Sequence, residues 1–285
     1  MLKSWAGAKT CFVKEQSLYS FAETVLSGPR GADLRIKQLD EFYSAESPQL
    51  WKLIIGEDLH YHYGVFTGCD NSLQDGMRHA VRSLYDDIPN GGHILDAGCG
   101  WGGPAKMLEA ELACTVQGVT LSSAQFNYCR SLGMDVMLGD LESMDLSGHR
   151  YDAVLMMESL DHIQHKGELL TVLRSLAPKI ILRVNCVASL LATTSSQAGR
   201  WHMYMETPEM IQRRLERAGW NLIRWVDRRT ETLLTFSLWH ARLESVFPDA
   251  DPPGQLGLLK QLCEYALSDL DRWADANPLM EYVAV

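Results

Sequence analysis

At 285 residues, 46% of them apolar, the chain is long enough to bury one sizeable core without disulfides or a structural metal. A net charge of −10 and a pI near 5.4, with no lysine or arginine run, argue against nucleic acid as a partner, because a phosphate backbone demands a basic face. No window of about 18 apolar residues exists, so no membrane span is expected, and residues 1–14 lack the apolar stretch of a signal peptide. The cysteines (Cys11, Cys69, Cys99, Cys114, Cys129, Cys186, Cys263) are odd in number and widely spaced, and they form no C-x-x-C and no zinc set. They read as reduced, buried thiols of a cytoplasmic protein.

Residues 15–55 carry helical periodicity. Leu18, Phe21, Ala22 and Val25 share a face, the run Ser27-Gly28-Pro29-Arg30-Gly31 breaks it, a second helix starts over 34–42, and Ser47-Pro48 opens a third through 55. Because this region precedes the first strand, 1–75 is expected to form a helical cap or lid, with a homo-oligomer contact through it. The next segment alternates His60, Tyr61, His62 and Tyr63 before Gly64. A histidine pair two residues apart with no third ligand is a poor metal site, so no metal is expected; an aromatic knot packing the cap to the core is the plain reading. Residues 72–85 form an amphipathic helix, with Asp70-Asn71-Ser72 as start signal and Pro89-Asn90-Gly91-Gly92 as the turn beyond.

The stretch 93–103, HILDAGCGWGG, organises the rest. An apolar run passes through Asp96 and then places Gly98, Gly100 and Gly102 at alternate positions before helix formers resume at 104–108. This is strand, tight turn, helix, with glycine where the backbone needs angles closed to other residues and where a ligand lies against bare main chain. The D-x-G-x-G-x-G spacing is not the dinucleotide G-x-G-x-x-G, and no lysine with Ser/Thr follows as in a P-loop, so the expected ligand is not a phosphate. The pattern resembles the first motif of class I S-adenosylmethionine (SAM) dependent methyltransferases; the resemblance implies that Asp96 and the glycine backbone hold the amino acid end of SAM.

Residues 115–121 form a second strand, and Ser122 caps a helix through 132, with Gln125 also suited to a capping box. Here G-V-T-L-S-S-A-Q is similar to the G-x-T-x-S-x-x-Q of the cyclopropane fatty acid synthase branch. That similarity implies Thr120 and Gln125, with Leu121 beside them, as cofactor contacts in place of an acidic residue; hydroxyl and amide groups satisfy ribose hydroxyls without a buried charge. A third strand, 134–140, ends in Gly139-Asp140; the resemblance to the methyltransferase fold implies Asp140 at the adenine amino group and Leu141 against the ring. The H-Y-G at 62–64 resembles the segment preceding the first strand in terpenoid C-methyltransferases such as the geranyl diphosphate enzymes, and in sugar and tocopherol methyltransferases. It implies Tyr63 over the cofactor and His60 and His62 toward the substrate.

A fourth strand, 151–157, brings Met157 to the cofactor and places Glu158, Asp161 and His162 at its carboxyl end, where open parallel sheets carry their chemistry. In-line methyl transfer needs alignment, exclusion of water and, where the nucleophile carries a proton, a base. The E-S-L-D-H run resembles the E-S-L-H-H or E-S-G-E-H of small-molecule methyltransferases. Asp161 stands where some relatives have a first histidine, which allows an aspartate–histidine couple; Glu158, Asp161 and His162 all remain candidate bases. A helix over 166–176, a fifth strand over 179–187, a Thr207-capped helix to 218 stopped by Gly219, a sixth strand over 221–227, helices through 231–273 broken at Pro248 and Pro252-Pro253-Gly254, and a seventh strand over 281–285 complete the pattern.

The expected fold is α/β: a Rossmann-like, doubly wound seven-stranded sheet of class I methyltransferase type, with an N-terminal helical cap and a lid insertion after strand five. The core spans 76–285, with 188–206 and 231–279 as lid or cap additions, and Trp201 and Tyr204 in the insertion are candidate substrate walls. The expected activity is SAM-dependent methyl transfer to a small, largely apolar metabolite, with S-adenosylhomocysteine (SAH) as product and carbon ahead of oxygen or nitrogen as the methylated atom. A lipid-modifying enzyme of the cyclopropane synthase kind is the alternative, although the E-x-H-F-G continuation of that branch and a basic membrane-facing helix are absent. A SAM-binding scaffold without turnover is the third reading.

Overall fold

The computed structural model describes residues 29–68, 72–189 and 203–285; the expected helical face of Leu18, Phe21, Ala22 and Val25, and Trp201 of the insertion, lie outside the described residues. The first described helix is α1 (Pro29–Ser44), followed by α2 (Pro48–Ile55) and α3 (Leu73–Arg82). The helix expected from 34 begins at Pro29, because proline in a first turn forfeits only an amide that has no intrahelical partner. Ser47 caps α2 by accepting from Leu50 N, and Ser72 caps α3 by accepting from Asp75 N. Among the described residues no helix is long and apolar enough to cross a membrane, and five cysteines are free and buried.

The sheet contains β1 (His93–Ala97), β2 (Thr115–Thr120), β3 (Asp135–Leu138), β4 (Ala153–Met157), β5 (Ile180–Asn185), β6 (Leu222–Asp227) and β7 (Leu279–Ala284), in the order β3-β2-β1-β4-β5-β7-β6. Helices α4 (Gly103–Leu112), α5 (Ser123–Ser131), α6 (Lys166–Leu176) and α7 (Pro208–Arg217) connect them. From β1 the chain winds one way to β2 and β3 and the other way to β4 and β5, so the crevice of a doubly wound sheet opens at the carboxyl ends of β1 and β4. Strand β7 runs antiparallel between β5 and β6. The continuous apolar runs of β4 and β5 fit strands covered on both faces, and separate apolar clusters flank the sheet.

A third apolar cluster lies outside the sheet layers. Trp51 and Ile54 of α2 and Met77 of α3 pack with Phe236 and Trp239 of α8 (Leu234–Val246) and with Leu256 and Leu259 of α9 (Gly254–Ser268). The N-terminal helices and the long C-terminal helical stretch therefore share one core, completed by α10 (Leu270–Ala276).

Arg183 on β5 faces Glu281 on β7 in register, and the two form a fully buried ion pair. Burial alone would raise the Glu281 carboxyl, yet Arg183, with Arg228 donating from Nε at 3.1 Å, holds it below its ordinary value. Glu281→Ala would leave the buried Arg183 with no countercharge inside the sheet, and a loss of about 3–5 kcal/mol is expected in urea denaturation. Replacing Arg183 and Glu281 together by leucine should recover most of that loss.

Candidate active site

A cavity of about 390 Å³ opens at the carboxyl ends of β1, β2, β4 and β5. Its floor is the turn after β1, where Gly98 (φ 99°) and Gly100 (φ 54°) adopt left-handed angles that favour glycine. A Cβ on Gly98 would stand 2.3 Å from Ser159 Cβ, whereas one on Gly100 would meet nothing nearer than Gln125 Nε2 at 4.0 Å. The first glycine lets two loops touch; the second leaves a bare cradle on the cavity. Asp96, at the end of β1, is 1% exposed, and its Oδ2 has no hydrogen-bond partner among the described residues. Burial pushes its carboxyl up to about 7. A buried acceptor lacking a donor beside an open cradle is the setting that a ligand ammonium would satisfy.

Thr120 Oγ1 donates to Gln125 Oε1 at 2.7 Å and accepts from Ser122 N at 3.2 Å. Ser122 Oγ caps α5 by accepting from Gln125 N, but the Gln125 side chain turns to Thr120 instead of returning to the cap. Asp140 lies past β3 beside Leu141, both on the cavity. Its carboxylate pairs with Arg35 of α1, whose other nitrogen is 3.0 Å from Glu142 Oε2.

The end of β4 carries the acid groups. Glu158 is a non-glycine residue at φ 55°, a conformation retained where surroundings over-determine it. Its N–H donates to Arg183 O at 2.7 Å, and both its carboxylate oxygens face Tyr63 N, at 3.1 and 3.2 Å. Burial pushes this carboxyl up to about 8; Arg183 opposes the shift and Asp161 adds to it. Asp161, in a short 3-10 turn (Leu160–His162), accepts from Asn185 Nδ2 at 2.6 Å and Asn185 N at 3.2 Å. Burial raises it to about 6, with Asn185 and then Lys166 opposing. His162 Nε2 is 2.6 Å from the hydroxyl of Tyr43, with the rings edge to face. Burial, then Tyr61 and Asp161, push the Tyr43 phenol well up, so it stays protonated.

The structure brings Tyr63, Asp96, Gly98, Gly100, Thr120, Leu121 and Gln125 to one wall system, and Asp140, Leu141, Met157, Glu158, Asp161, His162 and His62 also face this cavity. Three expected residues do not line it. Gly102 is the N-cap of α4, where a Cβ would strike Met134 Cε at 2.5 Å, so packing accounts for it. His60 is fully buried with Nδ1 3.2 Å from His62 Nε2, and His62 Nδ1 lies 3.0 Å from Tyr63 O. Burial holds His60 at about 4 and His62 well below its ordinary value, so the pair is neutral and braces Tyr63. Tyr204 instead packs over Lys166, while its N–H donates to Asp161 O at 2.7 Å.

Residues not anticipated include Tyr43 and Arg35, which no local pattern marks, and Asn185, a polar residue ending an apolar strand, which is a readable signal. Trp239, Leu258, Leu262, Tyr265 and Trp273 of the C-terminal helices form an apolar wall of the same cavity. Among the described residues one cluster suits a metal by type, His240 and Glu244 with Glu264, whose ligand atoms lie within 4.8 Å of one another. Lys260 Nζ already stands 2.7 Å from Glu244 there, and none of the three lines the cavity.

Sheet order, glycine turn and strand-end acids together define the class I SAM-dependent methyltransferase fold. Within it, residues 34–252 match the mycolic acid cyclopropane synthetase family, and the chain belongs to that family, which uses SAM. A probable fatty acid methyltransferase of Pseudomonas putida is 31% identical over 129 residues, covering 41% of this chain and 31% of that relative, so the chain spans about a third of its length. The cyclopropane synthase MmaA2 from Mycobacterium tuberculosis shares the fold at a TM-score of 0.76 and 16% identity, over 88% of this chain and 98% of that one. The mycolic acid cyclopropane synthase CmaA1, complexed with SAH and CTAB, does so at 0.68 and 17%, over 88% and 98%.

Because Glu158 is raised from 4.5 to about 8, the folded chain holds a proton that the unfolded chain releases in that interval. Its contribution to stability is whole below 4.5 and falls as pH rises through 8. The melting temperature of Glu158→Gln, relative to the parent, should therefore rise steadily between pH 5 and roughly pH 8.5, as scanning calorimetry across that range would show.

Proposed function

We propose that the protein is a SAM-dependent methyltransferase acting on a small, largely apolar metabolite. The observation that carries this reading is the unpartnered Oδ2 of Asp96 beside the open Gly100 cradle, in one cavity with Glu158, Asp161 and His162. When bound, SAM supplies a methyl group activated on a sulfonium. Asp96 would hold its ammonium, Thr120 and Gln125 its ribose hydroxyls, and Asp140 with Leu141 its adenine. The neutral cap residues Tyr63 and His62 exclude water on the opposite side. Of the 1–75 cap, the described helix α1 closes one side of the cavity, and 231–279 acts as the substrate cover, supported by the apolar wall from α8 to α10; 190–202 of the expected 188–206 lid lies outside the described residues.

At neutral pH Asp161 is ionised and Glu158 is protonated, since burial sets them at about 6 and about 8. We assign proton acceptance to His162, which shares its turn with Asp161 and faces the cavity, while Glu158 orients Tyr63 and the acceptor. Carbon is the favoured target atom on the strength of the H-Y-G and E-S segments. Lipid modification of the cyclopropane synthase kind is the second reading, supported by the family match and the apolar wall.

Radiolabelled SAM with terpenoid, indole, phenol and fatty acyl acceptors separates these readings. His162→Ala should lower kcat about 10²–10⁴-fold, the usual worth of a positioned base, with SAH affinity unchanged by calorimetry. Gly100→Ala fills the cradle and should behave oppositely. It loses SAH binding at least about tenfold while stability falls by only about 1–2 kcal/mol for the left-handed backbone. Absence of heat with SAH alongside tight binding of NAD would overturn the proposal.

A further inference from the structure

Lys166 opens α6 and is 1% exposed, yet no carboxylate pairs with its ammonium among the described residues. Nζ donates instead to two backbone carbonyls, Ile163 O at 2.5 Å and Tyr204 O at 2.6 Å, and sits 5.9 Å from the Tyr204 ring centre. Ile163 ends the turn that carries Asp161 and His162. Tyr204 belongs to the stem entering α7, and its own N–H returns to Asp161 O at 2.7 Å. The lysine therefore closes a ring: turn carbonyl, ammonium, stem carbonyl, stem amide, turn carbonyl. Burying an ammonium is expensive, and an apolar side chain of the same length would fill this space at lower cost. The charge has a consequence that packing does not supply, which is to draw two carbonyls of separate segments onto one point.

We propose that Lys166 is a positioning residue of the active site, whose ammonium holds the Asp161–His162 turn against the 203–206 stem in the geometry that methyl transfer requires. This rests on the methyltransferase reading above. The charged groups around the ammonium are Glu206 on the stem, Asp161 on the turn, Arg214 on α7 and Glu142 after β3. Burial lowers the lysine from 10.5 to about 8, with Glu206 and Asp161 opposing the shift and Arg214 adding to it. Between those values the unfolded chain binds the extra proton, so stability is lost as pH falls to 8 and regained as pH rises toward 10.5. Activity runs the other way, because the neutral amine holds the two carbonyls less strongly.

The test compares the parent with Lys166→Met in SAH binding, pH–rate profile and melting temperature from roughly pH 7 to 10. SAH affinity should stay within about twofold and kcat/KM should fall about 10- to 100-fold, the scale of a misplaced catalytic group. The alkaline limb of the parent profile should shrink to the part that Glu158, common to both proteins, contributes, and the parent should gain melting temperature over the variant as pH rises above 8. Parent-like rates with the alkaline limb intact, or a melting difference flat across that range, would overturn the inference. If Lys166→Met does not fold, Lys166→Arg, charged throughout, must keep most of the rate and show the same shrunken limb; an unchanged limb sinks the proposal. Failure of the parent to methylate any acceptor strikes the functional reading, whereas the melting comparison judges Lys166 without turnover.

Discussion

Three carboxylates, Asp96, Glu158 and Asp161, meet where the adjacent strands β1 and β4 end, the two aspartates buried and Glu158 half-buried, and they differ in how many donors the protein gives them. Strand ends in a parallel sheet stop short of the solvent when helices and loops roof them, so desolvation there is imposed by topology. Its results are graded: among the described residues Asp96 lacks a partner at one oxygen, Glu158 has the Tyr63 amide with Asn185 alongside, and Asp161 has both nitrogens of that asparagine. Between the two acids after β4, Asp161 stays lower, at about 6, because Asn185 and Lys166 oppose burial, while Glu158 reaches about 8 with Asp161 adding to its shift, which is how one fold separates a proton holder from an ionised neighbour. The Arg183–Glu281 pair lies next to this group, and the carbonyl of Arg183 fixes the strained Glu158 backbone.

Helix α1 supplies what the sheet lacks. Arg35 reaches Asp140, Asp40 accepts from Ser123 N at 2.7 Å, Ser44 meets Ser122 at 2.9 Å, and Tyr43 meets His162. Four side chains of one helix thus contact the ends of β2, β3 and β4, so the helix is part of the cavity wall. Its neighbour α2 shares an apolar cluster with α8 and α9, which couples the two roofs of the cavity through packing.

Elements with strong periodicity and clear caps were legible. The helix over 166–176 matches at both ends, and the Ser122 and Thr207 caps fall where the hydroxyl pattern puts them. Strand β7 begins two residues before the expected 281, because Leu279 and Met280 follow a proline that obscured the apolar run; its antiparallel direction is not encoded in periodicity at all. The seven strands, the glycine turn and the acids after β4 were readable because each depends on local spacing. Tyr43 and Arg35 were not, since their partners lie more than a hundred residues away and nothing near them signals it. Gly102, His60 and Tyr204 show the converse: they sit inside or beside a motif, and their roles here are backbone geometry, bracing and a main-chain contact.

The placing of β7 between β5 and β6 bears on how the molecule is assembled. Strand β6 pairs with β7 alone, and that partner lies more than fifty residues further along the chain, beyond three helices. Until 279–284 arrives, the edge of β5 is an open template and β6 has nothing to lie against, so the half of the sheet holding Arg183 closes last. The amide of the strained Glu158 leans on that same strand through Arg183 O, so the support beneath the acid groups gains its second neighbour only when the last segment of the chain is laid down.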